Sequence, residues 1–188
     1  MRKIILSVIL ITILVLSVFS IYFQSEATAL GAHVVALKLD TGDTAWMIVA
    51  SALVLIMTPG LGFFYGGMVG KKNVISTMLQ SFMAMVIVTV LWVLVGFGLC
   101  FGPSVGGIIG DPSSNFMFNG VNSTTAWELA PTIPFILFAF FQAKFAIITP
   151  ALITGAFAER VRFWAYLLFM VLFILVIYAP LCHMTWHP

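Results

Sequence analysis

The longest stretches of this chain carry no charge. No Asp, Glu, Lys or Arg lies between Asp43 and Lys71, between Lys72 and Asp111, or beyond Arg162. From Leu129 to Ala158 the sole charged residue is Lys144. A helix needs about 20 mostly apolar residues to cross the hydrocarbon layer of a bilayer. These gaps therefore predict four spans, roughly Ala45–Met68, Ser76–Phe101, Pro131–Phe157 and Phe163–Trp186. Of the 188 residues, 62% are hydrophobic and only 7% are charged, against about 25% charged in an ordinary soluble domain. The expected class is an all-α integral membrane protein.

A further apolar run precedes these spans. Arg2-Lys3, the stretch from Ile4 to about Phe19 and the small-x-small site Ser25-Glu26-Ala27 predict a signal peptide over residues 1–27, with a retained anchor helix as the alternative. Residues 28–188 form the body, and either reading leaves Thr28 outside the cell. Basic residues next to spans favour the cytoplasmic side. Lys71 and Lys72 occupy the tight connection after the first span, and Arg160 with Arg162 the one after the third, so both are expected inside. Asp40, Asp43, Asp111 and Glu128 then face outward, as does the loop 102–130 with its sequon Asn122-Ser123-Thr124. The expected location is a plasma or inner membrane, crossed several times.

Several function classes drop out. A net charge of +2 with no basic run carrying interleaved aromatics gives no nucleic-acid footprint. His33, His183, His187 and the six carboxylates are scattered, without a His-x-x-x-His, a pair of acids in one span or a nucleophile elbow. Gly66, Gly67 and Gly70 lack the Gly-Lys-Ser/Thr ending of a phosphate loop. Cys100 and Cys182 are distant in sequence and form neither a disulfide framework nor a zinc pattern. No enzyme activity, cofactor or metal is expected.

Within the spans a few residues stand out. Gly62, Gly66 and Gly70 recur every four residues and predict a close helix contact, while Pro59 predicts a kink. Phe141 and Phe145 are spaced i, i+4, which predicts rings stacked along one face. Their span also carries Gln142, Lys144, Thr149 and Thr154, which a helix bathed only in lipid would not. Lys144 falls near mid-membrane, where a charge costs at least about 2.5–3.5 kcal/mol and must face protein or water. It is either a structural lysine or part of a polar path. Trp186 is either an interfacial belt residue or half of a cation–π box. His183, one turn earlier, is a candidate for belt, packing or polar vestibule.

Three strings carry a resemblance. DTAWMIVASALVLIMTPGLGFFYGGMVGKKNVIS (43–76), FFQAKFAIITPALITGAFAERVRF (140–163) and YAPLCHMTW (178–186) resemble the amino-terminal part of ammonium transporters of the Amt/Mep/Rh family. The resemblance implies four helices of an eleven-helix fold with two inverted five-helix repeats, and a homotrimer in which each subunit encloses its own apolar pore. It implies that Phe141 and Phe145 form a phenyl gate and that Trp186 walls an ammonium-recruitment site. Ammonium or ammonia is then the substrate, the lipid bilayer a partner, and a cytoplasmic regulatory protein a further candidate partner. The family's paired pore histidines, an aspartate and a serine of the outer site would lie beyond Pro188, so the chain is expected to be a fragment. The rival function is an ammonium-sensing membrane domain of a signalling protein.

Overall fold

A computed structural model describes residues 34–187. The signal or anchor segment lies outside them. Four helices run back and forth: α1 (Thr41–Met68), α2 (Val74–Phe101), α3 (Phe135–Phe157) and α4 (Phe163–Trp186). All four are long and apolar enough to cross a membrane. The expected spans therefore stand, with α1 beginning four residues earlier and α3 four later than the charge gaps alone suggested. The reason for the first shift is a cap. Asp40 Oδ1 accepts from the Asp43 N–H at 2.9 Å, satisfying one of the N–H groups a helix start leaves open. At the start of α3, Pro134 sets the entry instead.

Two helices hold an irregularity that nothing in the charge pattern foretold. Trp92–Gly96 in α2 and Phe173–Tyr178 in α4 are π-helical turns. Pro59, by contrast, sits inside an unbroken α1.

One end of the bundle is rich in loops. There β1 (Val34–Ala36) pairs antiparallel with β4 (Thr125–Trp127), Val34 opposite Trp127. Between them in sequence, β2 (Ser104–Val105) pairs with β3 (Ile109–Gly110). Loop polar groups are satisfied locally. Asn122 Oδ1 accepts from the backbone N–H groups of Thr124 and Thr125, each at 2.9 Å, so the sequon asparagine holds its own turn.

Beneath these strand pairs lies an aromatic core. Trp127 stacks on Phe135 and Phe138, with centroids 5.9 and 5.6 Å away and planes within 10°. Phe97, Phe101, Trp92 and Tyr178 meet the cluster edge-on, the arrangement ring quadrupoles favour.

The opposite end carries Lys71, Lys72, Arg160 and Arg162 and packs on small residues. A Cβ on Gly62 would stand 3.3 Å from Ser81 Cβ, and one on Gly66 would stand 2.9 Å from Met78 Cγ. These glycines let α1 approach α2, as their spacing predicted. Gly70 does not continue the stripe, because α1 ends at Met68. Its N–H donates instead to Glu159 Oε1 at 2.8 Å, and Asn73 Nδ2 donates to the same oxygen at 3.0 Å. One carboxylate thus ties the α1–α2 turn to the α3–α4 turn.

Candidate functional site: a run of rings on the third and fourth helices

α3 places Phe141 and Phe145 one turn apart, as any helix places residues i and i+4. Their centroids are 5.0 Å apart, but the planes meet at 77°. The rings therefore lie edge to face rather than stacked as expected, since a ring edge bears positive and a face negative charge density. Thr149 Oγ1 donates to the Phe145 carbonyl at 2.6 Å, so the polar threonine satisfies itself on its own helix.

α4 brings a third ring. Trp186 lies 6.2 Å from Phe145, again edge to face at 78°. The three aromatic residues singled out in the sequence thus form one contiguous run. Phe145 is ten residues from the start of α3, about 15 Å of helix rise. Trp186, the last residue of α4, reaches it from the other helix. Phe141 and Phe145 are half-buried, and Trp186 retains 46% exposure.

Lys144 takes a neighbouring stripe. Its Nζ sits over the Phe140 ring, 5.3 Å from the centroid, a cation–π contact beside the run of rings rather than within it. Beside Phe141, Gln142 Oε1 is buried without a hydrogen-bond partner among the described residues.

His183, open in the sequence to belt, packing or polar vestibule, is bonded through both ring nitrogens. It is buried at 2% exposure. Nδ1 lies 2.9 Å from the Cys100 carbonyl and Nε2 lies 3.0 Å from Ser104 Oγ. Both ring nitrogens are committed to holding α4 against the end of α2 and its following hairpin. The ring also stacks on His187, 4.3 Å away. Its part is to fix the helix that carries Trp186.

Sequence reasoning missed Trp92. This buried indole donates from Nε1 to the Ala139 carbonyl at 3.1 Å, joining α2 to α3 two residues before Phe141. The available signal was a tryptophan deep in an apolar span, because its N–H must find an acceptor where no water is present.

A family profile described as Ammonium Transporter Family matches residues 45–188. The chain belongs to that family. An ammonium transporter from Mycobacterium bovis is 49% identical over 157 residues, covering 77% of this chain and 33% of the relative. One from Aquifex aeolicus is 41% identical over 178 residues, covering 92% of this chain and 38% of the relative. Among solved structures, Mep2 of Candida albicans matches with a TM-score of 0.68 at 33% identity, over 79% of this chain and 32% of that one. A structure described as a sensor Amt protein matches with a TM-score of 0.67 at 31% identity, over 76% of this chain and 33% of that one. The chain thus spans about a third of the family members it matches.

Proposed function

We propose that this chain is the amino-terminal part of a membrane protein that moves ammonium or ammonia, and that Phe141, Phe145 and Trp186 stand on the route. One observation carries the reading. Three aromatic rings from two helices, Phe141, Phe145 and Trp186, make a continuous edge-to-face run. Tryptophan is the strongest cation–π partner among side chains, so Trp186 suits the point where ammonium exchanges water for an aromatic face. Phe141 and Phe145 suit a constriction beyond it, where the neutral amine passes far more cheaply than the ion. The proton is given up between the two stages.

In this reading Lys71, Lys72, Arg160 and Arg162 face the cytoplasm of a plasma or inner membrane, and the paired β-strands face outward. Full length is an eleven-span subunit of a homotrimer that also supplies pore histidines. The sensor alternative rests on similarity to the sensor Amt protein, which is nearly as high as to Mep2. A signalling domain after the last span of the full gene product would decide for it.

The test is Trp186→Leu in the full-length protein reconstituted in vesicles. A cation–π contact is worth about 0.5–2 kcal/mol, so the half-saturating concentration for methylammonium should rise about two- to thirty-fold. Assembly should be intact. An unchanged concentration dependence removes Trp186 from the route.

A further inference from the structure

Cys100 and Cys182, unrelated by sequence spacing, meet inside the fold. Both are free and buried, Cys100 at 0% and Cys182 at 5% exposure. Both belong to the same aromatic core, where the end of α2 packs on α4. The His183 bond to the Cys100 carbonyl pins the residue next to Cys182 directly onto Cys100. The Cys100 thiol has the Cys182 thiol as its side-chain partner. Tyr178, one helical turn before Cys182, belongs to the same core, and its hydroxyl has no hydrogen-bond partner among the described residues.

We propose that Cys100 and Cys182 are a thiol pair that closes to an intramolecular disulfide on oxidation, fastening α4 to α2 one turn before Trp186. Two facing thiols are set up for this chemistry in a way a single buried cysteine is not, because the second captures the oxidised first before it can react further. Burial selects the oxidant. A bulky or charged disulfide cannot reach either sulfur, whereas hydrogen peroxide is small and neutral.

The step balances as follows. The Cys182 sulfur, the less buried of the two, attacks one peroxide oxygen as its thiolate; an S–O bond forms, the O–O bond breaks, and hydroxide leaves with the displaced electron pair. The thiol proton converts that hydroxide to water. The Cys100 sulfur then attacks the sulfenic sulfur of Cys182; the S–S bond forms, the S–O bond breaks, and the departing hydroxide takes the Cys100 proton as a second water. Two thiols lose two electrons in total and one peroxide gains them. A thiol reductant reverses the bond by exchange.

The full-length protein in membranes is treated with hydrogen peroxide, unfolded, alkylated at its remaining thiols, digested and weighed by mass spectrometry. The expected result is a linked peptide pair joining the Cys100 and Cys182 segments, lighter than the two thiol peptides by two hydrogens and separated by dithiothreitol. A bulky charged thiol reagent should leave both residues unmodified in the folded protein. The peroxide-treated protein should also melt at a higher temperature than the reduced one, because a bridge across a long loop restricts the unfolded chain. Cys100→Ala should lose that increment while retaining its own fold. Recovery of both residues as fully alkylated thiols overturns the proposal. So does their recovery as sulfinic or sulfonic acids without a linked pair, or as bridges between separate subunits only. The peptide measurement uses the unaltered chain and does not depend on any variant folding.

Discussion

Lys144 poses the sharpest energetic question of any residue in the bundle. A charge near mid-membrane costs at least about 2.5–3.5 kcal/mol, and a contact such as that with Phe140 returns about 0.5–2 kcal/mol. The charge is therefore a net burden on α3 unless it serves transport, and its stripe runs beside the Phe141–Phe145–Trp186 run. Lys144→Met should stabilise the full-length protein by about 1–3 kcal/mol, seen as a higher melting temperature in detergent, and should leave half-saturation for methylammonium unchanged. A loss of uptake would instead place Lys144 on the route. Individual identities in this site were partly legible beforehand. Phe141, Phe145 and Trp186 could be singled out by type and spacing, but their mutual contact could not, because Trp186 lies 41 positions after Phe145 and no local rule links them. The fate of His183 was hidden for the same reason. Its partners, Cys100 and Ser104, come from another helix and another loop.

At the level of elements, the spans could be read from charge gaps because hydrocarbon excludes ionised groups wherever the helix lies. The π-helical turns in α2 and α4 could not, since they arise from how neighbouring helices pack and neither stretch has an unusual composition. The turns at the basic end show how closely two connections can be matched. A Cβ on Gly155 would stand 2.6 Å from Tyr65 Cε1, and the Tyr65 hydroxyl donates to the Leu152 carbonyl at 2.6 Å. The rigid ring cannot move aside without breaking that bond. Gly155→Ala should therefore lower stability by about 1–3 kcal/mol, measurable as a drop in melting temperature; a neutral result would mean that the α3–α4 turn readjusts freely. Glu159 makes the same joint sensitive to pH. Its bonds from Asn73 and the Gly70 N–H hold its carboxyl below the usual value of 4.5. Because the folded value lies below the unfolded one, the stabilisation is fully present above 4.5 and is lost as pH falls through the lowered folded value. Wild type should lose thermal stability more steeply than Glu159→Gln as pH drops below that range, with the variant already less stable at neutral pH. Parallel curves would show that the clamp contributes nothing.

As a whole, the molecule is stiff at one end and closely fitted at the other. At the loop-rich end, interlocking rings and two short strand pairs surround the last turns of α2 and α4. At the basic end, small residues bring helices together and one carboxylate joins the turns. The all-helical membrane class was legible from composition, but the antiparallel pairing of Val34–Ala36 with Thr125–Trp127 joins segments too distant for pattern reading. Glu159 adopts φ +64, a left-handed conformation that most side chains resist. This couples two demands at a single codon. Glycine would relax the main chain yet sever both hydrogen bonds, asparagine would tolerate the dihedral but reach less far, and valine or isoleucine would meet neither requirement. Position 159 therefore has a very short menu of workable replacements, and homologous chains that abandon glutamate there would need a differently shaped turn.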